Sequence, residues 1–98
     1  MKRRVSISTI LSLMLAVAVA EPAAATRLGE LASVKGKVWL QRPDWSSFQV
    51  VDVGTLLYLG DLLRPEKGSQ VTVVCTNGKN WQVPPGVTSG VASGCPPP

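Results

Sequence analysis

The residue types that could carry chemistry are few beyond position 25. They are five carboxylates and two cysteines, with no histidine anywhere in the chain: Glu30, Asp44, Asp52, Asp61, Glu66, Cys75 and Cys95. Serine–histidine and cysteine–histidine nucleophile pairs need an imidazole base, so both are excluded. A glycoside hydrolase needs two facing carboxylates, whereas most of these five adjoin predicted turns. The stretch 60–68 lacks the G-K-[ST] ending of a phosphate loop. The sequence therefore predicts a non-enzymatic protein without a cofactor.

The first 25 residues have the order of a secretory signal peptide. A basic start, Met1 to Arg4, precedes an apolar stretch from Val5 to Ala20, and small residues follow. Cleavage after Ala20 or after Ala25 fits the small-x-small rule, and the polar Glu21-Pro22 before the second site favours Ala25. The uninterrupted apolar core is shorter than the roughly 20 residues that a membrane span needs. We therefore expect an exported protein, periplasmic or secreted, with an uncleaved anchor as the alternative.

Loss of this leader changes the charge. The whole chain carries ten basic and six acidic residues, a net charge of +4. Removing Lys2, Arg3, Arg4 and Glu21 leaves seven against five, a net charge of +2. This small excess is spread along the chain, so it predicts no nucleic-acid partner.

The two cysteines are predicted to form a disulfide. A 73-residue mature chain has a small core that usually needs a covalent staple, and an exported protein meets oxidising conditions. Two cysteines without histidine cannot complete a tetrahedral zinc site in one chain. We expect a Cys75–Cys95 bridge, with free thiols or an intermolecular bridge as alternatives.

The elements that position these residues read as short strands. Val, Thr, Trp and Leu dominate after the leader, and glycine recurs every few residues. Alternation in residues 37–41 places Val38 and Leu40 on one face and Trp39 on the other. Leu57 and Leu63 are expected to point inward. Corners are predicted at five residues: Gly54, Gly60, Asp61, Gly68 and Gly78.

The last hairpin permits a register prediction. A two-residue Asn77-Gly78 turn would oppose Val74 and Trp81. A three-residue loop, 76–78, with Gly78 in the left-handed region shifts the pairing by one. Val73 then opposes Trp81, and nearly all large apolar residues share one face. We therefore predict the bulged hairpin.

The glycine spacing resembles a known family. The pattern Gly36-x-Val38, then Gly54-x-x-Leu57-x-x-Gly60-Asp61-x-Leu63, then an alternating strand closed by Asn77-Gly78, is similar to the FecR-type domain of bacterial envelope proteins. The resemblance covers about residues 29–83. Arg64, Cys75 and Asn77 depart from the family pattern. The resemblance implies an all-β domain, a small β-roll or β-solenoid. Together with the leader pattern and the C-terminal prolines and glycines, it divides the chain into a signal peptide helix at 1–25, the β-domain at 26–85 and a Gly/Pro-rich coil at 86–98.

The resemblance also implies a function. FecR-type envelope domains are sensory modules, so we expect a domain that binds an envelope protein or a cell-wall component and that retains no membrane span. A cell-wall glycan-binding module resembling an SH3-like barrel is the alternative. In that case Trp45 and Trp39 are the candidate ligand contacts, whereas Trp81 is expected in the core. A third interpretation is a purely structural fragment of a longer protein.

Overall fold

A computed structural model describes residues 25–98, and the regular secondary structure of this part of the chain is β-strand apart from one short helix. The predicted leader, with cleavage after Ala20 or Ala25, lies outside this range except for Ala25 itself. The elements follow in the order β1 Arg27–Lys35, β2 Val38–Gln41, β3 Gln49–Val51, β4 Leu56–Tyr58, β5 Leu62–Pro65, β6 Gln70–Cys75, β7 Asn80–Val83, β8 Ser89–Gly90 and α1 Val91–Gly94. The all-β prediction is confirmed. No helix between residues 25 and 98 has the length and apolarity that a membrane crossing requires.

The strands form two antiparallel sheets of four strands each. The first sheet has the order β4-β1-β6-β7, and the second has the order β3-β2-β5-β8. Both are open, so the described strands do not close into a barrel. This arrangement supports the predicted class, a small all-β domain, whereas it does not show the finer β-solenoid arrangement.

The core is one apolar cluster to which both sheets contribute. Side chains alternate inward and outward along each strand, so the buried residues recur at every second position in β2 and β6. As predicted, Leu57 and Leu63 are fully buried. The buried hydrophobic residues are Leu28, Leu31, Val38, Leu40, Leu57, Leu63, Val71, Val73, Cys75, Val83, Val91 and Cys95.

The predicted glycine corners all have positive φ. Gly60, in the turn between β4 and β5, has φ 95°, and Gly78, between β6 and β7, has φ 88°. An L side chain rarely adopts this conformation. At Gly60 a Cβ would also lie 2.9 Å from the ring of Pro43, so this corner excludes a side chain for two separate reasons. Gly54 and Gly68 have φ values of 93° and 83°.

The hairpin formed by β6 and β7 has the predicted bulged register. Val73 lies opposite Trp81, Val71 opposite Val83, and Val74 opposite Asn80. The Cys75 N–H donates to the Lys79 carbonyl at 2.8 Å, which closes the hairpin around residues 76–78. The apolar side chains of both strands therefore face the core, and Val74 is left exposed.

The segment predicted as a coil, residues 86–98, contains two short elements. β8 pairs with β5 through Leu62 and Gly90, and α1 carries Val91 into the core. Cys95 then forms the predicted disulfide with Cys75, with an S–S distance of 2.02 Å and a Cα–Cα distance of 5.3 Å. The segment is therefore attached by strand pairing, by burial and by a covalent bond.

The same segment covers Trp81. A Cβ added to Gly94 would overlap the Trp81 indole, so the Gly94 backbone lies directly against that ring. Trp81 is half-buried and packs on the core, in agreement with its predicted core position. Glycine at residue 94 is therefore needed for close approach rather than for an unusual φ.

Candidate functional site

The most buried charge among the described residues is the carboxylate of Asp61. Its side chain is 1% exposed. One oxygen, Oδ2, accepts hydrogen bonds from Nη1 of Arg42 at 2.9 Å and from the N–H of Tyr58 at 2.8 Å. The other, Oδ1, is buried without a partner in the described chain. Burial raises the pKa of Asp61 above its ordinary value, although the Tyr58 N–H and the Arg42 charge act in the opposite direction.

The backbone of Asp61 is also bound. Its N–H donates to the Tyr58 carbonyl at 3.0 Å, and its carbonyl accepts from the Val91 N–H at 2.9 Å. Residue 61 thus joins the β4–β5 corner to the start of α1. Asp61 is a predicted corner residue, and its carboxylate accepts the N–H of Tyr58, three residues earlier, across the β4–β5 corner.

Arg42 connects this corner to Trp45. Nη2 of Arg42 donates to the Leu56 carbonyl at 3.1 Å. Its guanidinium carbon lies 5.4 Å from the Trp45 ring centroid and 5.2 Å from that of Tyr58, within cation–π range. Trp45 is half-buried and packs on the core. These contacts assign Trp45, predicted as a ligand contact, a role in holding the fold together.

The other predicted ligand contact, Trp39, lies on the outer face of the second sheet. Three residues stand directly opposite one another across β3, β2 and β5, namely Val50, Trp39 and Arg64. The neighbouring strand residues Val38, Leu40 and Leu63 are buried. Because side chains alternate along a strand, Val50, Trp39 and Arg64 point away from the core. Val50 is 51% exposed. We call this surface the aromatic–cationic face and define it as Lys37, Trp39, Phe48, Val50, Arg64 and Lys67.

This face carries two pairs of a cation and an aromatic ring. The guanidinium carbon of Arg64 lies 4.4 Å from the Phe48 ring centroid. Nζ of Lys37 lies 5.8 Å from the Trp39 ring centroid, near the outer limit for a cation–π contact. Among residues 25–98, no salt bridge involves Lys37, Arg64 or Lys67. Their charges are therefore available to a ligand.

A groove runs beside Trp39. Its volume is about 410 Å³, and its lining consists of Trp39, Arg64, Pro65, Glu66, Lys67 and Gly86. Gly86 borders the groove because its N–H donates to the Pro65 carbonyl at 2.8 Å. The volume falls in the range of about 300–1,000 Å³ that small-molecule sites occupy.

The sequence reasoning identified Trp39 but missed Arg64 and Phe48. Arg64 could have been found from the sequence, because it lies between Leu63 and Pro65, which are both buried. Strand alternation therefore directs its side chain outward, beside Trp39. Phe48 precedes β3 in a stretch that reads as a loop, so nothing in the sequence associates it with Arg64. The two candidate tryptophans have separate environments: Trp39 lines the groove, and Trp45 does not.

Metal binding has no site in the described range: no three side chains of the usual metal-ligating types converge among residues 25–98. Comparison of the chain with protein-family models, with curated proteins and with solved structures found no match. The sequence pattern and the aromatic–cationic face are therefore the features that indicate a function.

Proposed function

We propose that this protein is an exported, non-enzymatic binding domain of the FecR type. It holds a protein or another component of the cell envelope on its aromatic–cationic face. The observation that carries the proposal is the combination of a partly exposed indole, Trp39, with Arg64 and Lys67, which line the same groove and form no salt bridge among residues 25–98. Lys37 lies beside the Trp39 ring. Exposed aromatic residues and arginine are the side chains that contribute most to binding energy at interfaces.

The pattern that carries the family resemblance supports the proposal. Leu57 is buried, Gly60 occupies a corner that excludes a side chain, and Asp61 binds the corner to neighbouring elements. These three residues of the spaced motif, Leu57, Gly60 and Asp61, therefore have structural roles within the sheets. A domain whose motif residues serve the fold leaves its outer faces to carry the function, as is common for binding modules.

Site-specific photo-crosslinking in bacterial cells tests this proposal. The full chain, with its own leader, carries a photoreactive residue at Val50 on the aromatic–cationic face. The matched control carries it at Val74, an exposed valine on the outer face of the first sheet. We expect a discrete adduct from position 50 and none from position 74.

Two further arms complete the test. Arg64→Gln should abolish the adduct at position 50, whereas Lys79→Gln, in the exposed hairpin loop, should leave it unchanged. Adducts of equal yield from positions 50 and 74, or no adduct from either, would refute the proposal. A signal at position 50 that survives Arg64→Gln would refute the role of the Arg64 charge in holding the partner on this face.

A further inference from the structure

The main chain around the groove is already paired, which limits how a ligand can be held. Trp39 lies on β2, which pairs with β3 on one side and with β5 on the other. The Pro65 carbonyl is taken by Gly86. Extended peptides usually bind to a free strand edge through backbone hydrogen bonds. Trp39, at the centre of its sheet, has no such edge, so the groove must hold its ligand through side chains.

The charge of the lining favours an anion. Arg27 is paired with Glu30, and Arg42 with Asp61. The cations of the aromatic–cationic face have no such partners among the described residues, and Glu66 is the only acid in the lining of the groove. A ligand that carries negative charge therefore complements this face better than a neutral or a basic one.

The geometry of Arg64 favours a carboxylate. Its guanidinium carbon lies 4.4 Å from the Phe48 ring centroid, which holds the group on the outer face of the sheet, and the planar guanidinium fork offers five N–H donors to a ligand. A guanidinium fork matches a carboxylate through two parallel hydrogen bonds. Lys67 supplies a second, more flexible positive charge in the same groove.

We propose that the groove beside Trp39 binds a carboxylate-bearing glycan, an inference that rests on the binding role proposed above. The Trp39 indole is a flat apolar platform for the C–H face of a sugar ring. Arg64 binds the carboxylate of that sugar or of its neighbour, and Lys67 and Lys37 add attraction.

Calorimetric titration of the purified, disulfide-bonded protein tests the inference. The ligand is oligogalacturonate, a chain of carboxylated sugars. The matched ligand is the same oligomer with its carboxylates methyl-esterified, which retains the sugar rings and removes the charge. We expect binding of the acid form at least 10-fold tighter than that of the ester, weakening as salt rises.

Variants locate the site. Trp39→Ala and Arg64→Gln should each weaken binding of the acid form at least 10-fold. Both side chains face outward, so the circular dichroism spectrum should be unchanged. Lys79→Gln is the matched control for the loss of a positive charge, and it should bind as the unmodified protein does. A reduced effect of Arg64→Gln on the ester would confirm that Arg64 contacts the carboxylate.

The outcomes separate this inference from the proposed function. Equal binding of acid and ester refutes the role of the carboxylate. Binding of poly-glutamate instead of the oligosaccharide, lost in the same variants, refutes the glycan and keeps the binding face. Crosslinking at position 50 with no glycan binding likewise overturns the inference alone. Absence of both crosslinking and binding overturns both proposals.

Discussion

Reduction of the Cys75–Cys95 disulfide should lower the stability of the domain by a calculable amount. The bridge closes a loop with a sequence separation of 20. Opening such a loop in the unfolded chain restores conformational entropy worth about 3.3 kcal/mol at 25 °C in the chain-entropy model. For a domain of this size, each kcal/mol shifts the melting temperature by about 4–8 °C. We therefore expect a decrease of roughly 13–26 °C.

The assay is thermal and urea unfolding followed by circular dichroism and tryptophan fluorescence, with and without a phosphine reductant. Reduction removes no atoms from the core, so it isolates the effect of the loop. The double variant Cys75→Ala/Cys95→Ala provides the comparison. Both sulfur atoms belong to buried residues, and their deletion leaves a cavity, so the variant should lose more stability than the reduced protein does.

The native signal gives a second readout. In the chain-entropy model the bridge acts on the unfolded chain, so the wavelength of the native tryptophan fluorescence maximum should change little on reduction, although its intensity should rise because a disulfide quenches a nearby indole such as Trp81. The pairing of β8 with β5 and the burial of Val91 still hold the segment in place. A decrease in melting temperature under about 5 °C would refute the calculation. A red shift of the native fluorescence maximum on reduction, before unfolding, would refute the assignment of the effect to the unfolded state.

Four further expectations follow from the corners and from the C-terminal segment. Burial raises the pKa of Asp61 in the folded protein, so the folded state binds the proton more readily than the unfolded state. The free energy of unfolding should therefore rise as pH falls from 7 through the folded pKa, and Asp61→Asn should remove this contribution in urea titrations at several pH values. Asp61→Ala leaves the 24%-exposed Arg42 side chain and the Tyr58 N–H without their acceptor. We therefore expect the free energy of unfolding to fall by about 3 kcal/mol. An unchanged urea midpoint would contradict this expectation. Gly94→Ala forces a methyl group into the Trp81 indole and should cost about 1–3 kcal/mol with a shift of the fluorescence maximum. Gly78→Ala meets no atom, so its cost should be only the backbone strain, about 1–2 kcal/mol; a larger loss would mean that the loop has other constraints.

Local patterns in the sequence predicted much of the fold. Alternation places Val38 and Leu40 on one face and Trp39 on the other, and a strand has no other way to bury the first two. The hairpin register followed from the same rule, because only one loop length places Val73 and Trp81 together. The cysteine pairing followed from there being only two. Each of these inferences depends on residues that are close in sequence or unique in type.

Contacts between distant residues were not predictable in this way. The Arg42–Asp61 pair joins residues whose local sequences show only a strand break and a glycine corner. The cation–π contact between Arg64 and Phe48 joins opposite sides of β2 in the second sheet. It depends on a strand order that no local pattern specifies. The prolines and glycines of residues 86–98 indicated a coil, but tertiary contacts order that segment, since Val91 and Cys95 find places in the core.

The position of β1 in the first sheet has a consequence for how the chain acquires its structure. β1 lies between β4 and β6, and Leu31 at its centre pairs with Val73. The long loop between Leu31 and Val73 must close before this strand contact can form, which slows folding and makes it cooperative. A nascent chain that has emerged only as far as β5 therefore has a central strand with one edge open. The domain is expected to reach its native state in a single late step, within about milliseconds to seconds after β6 and the core residues that follow it become available.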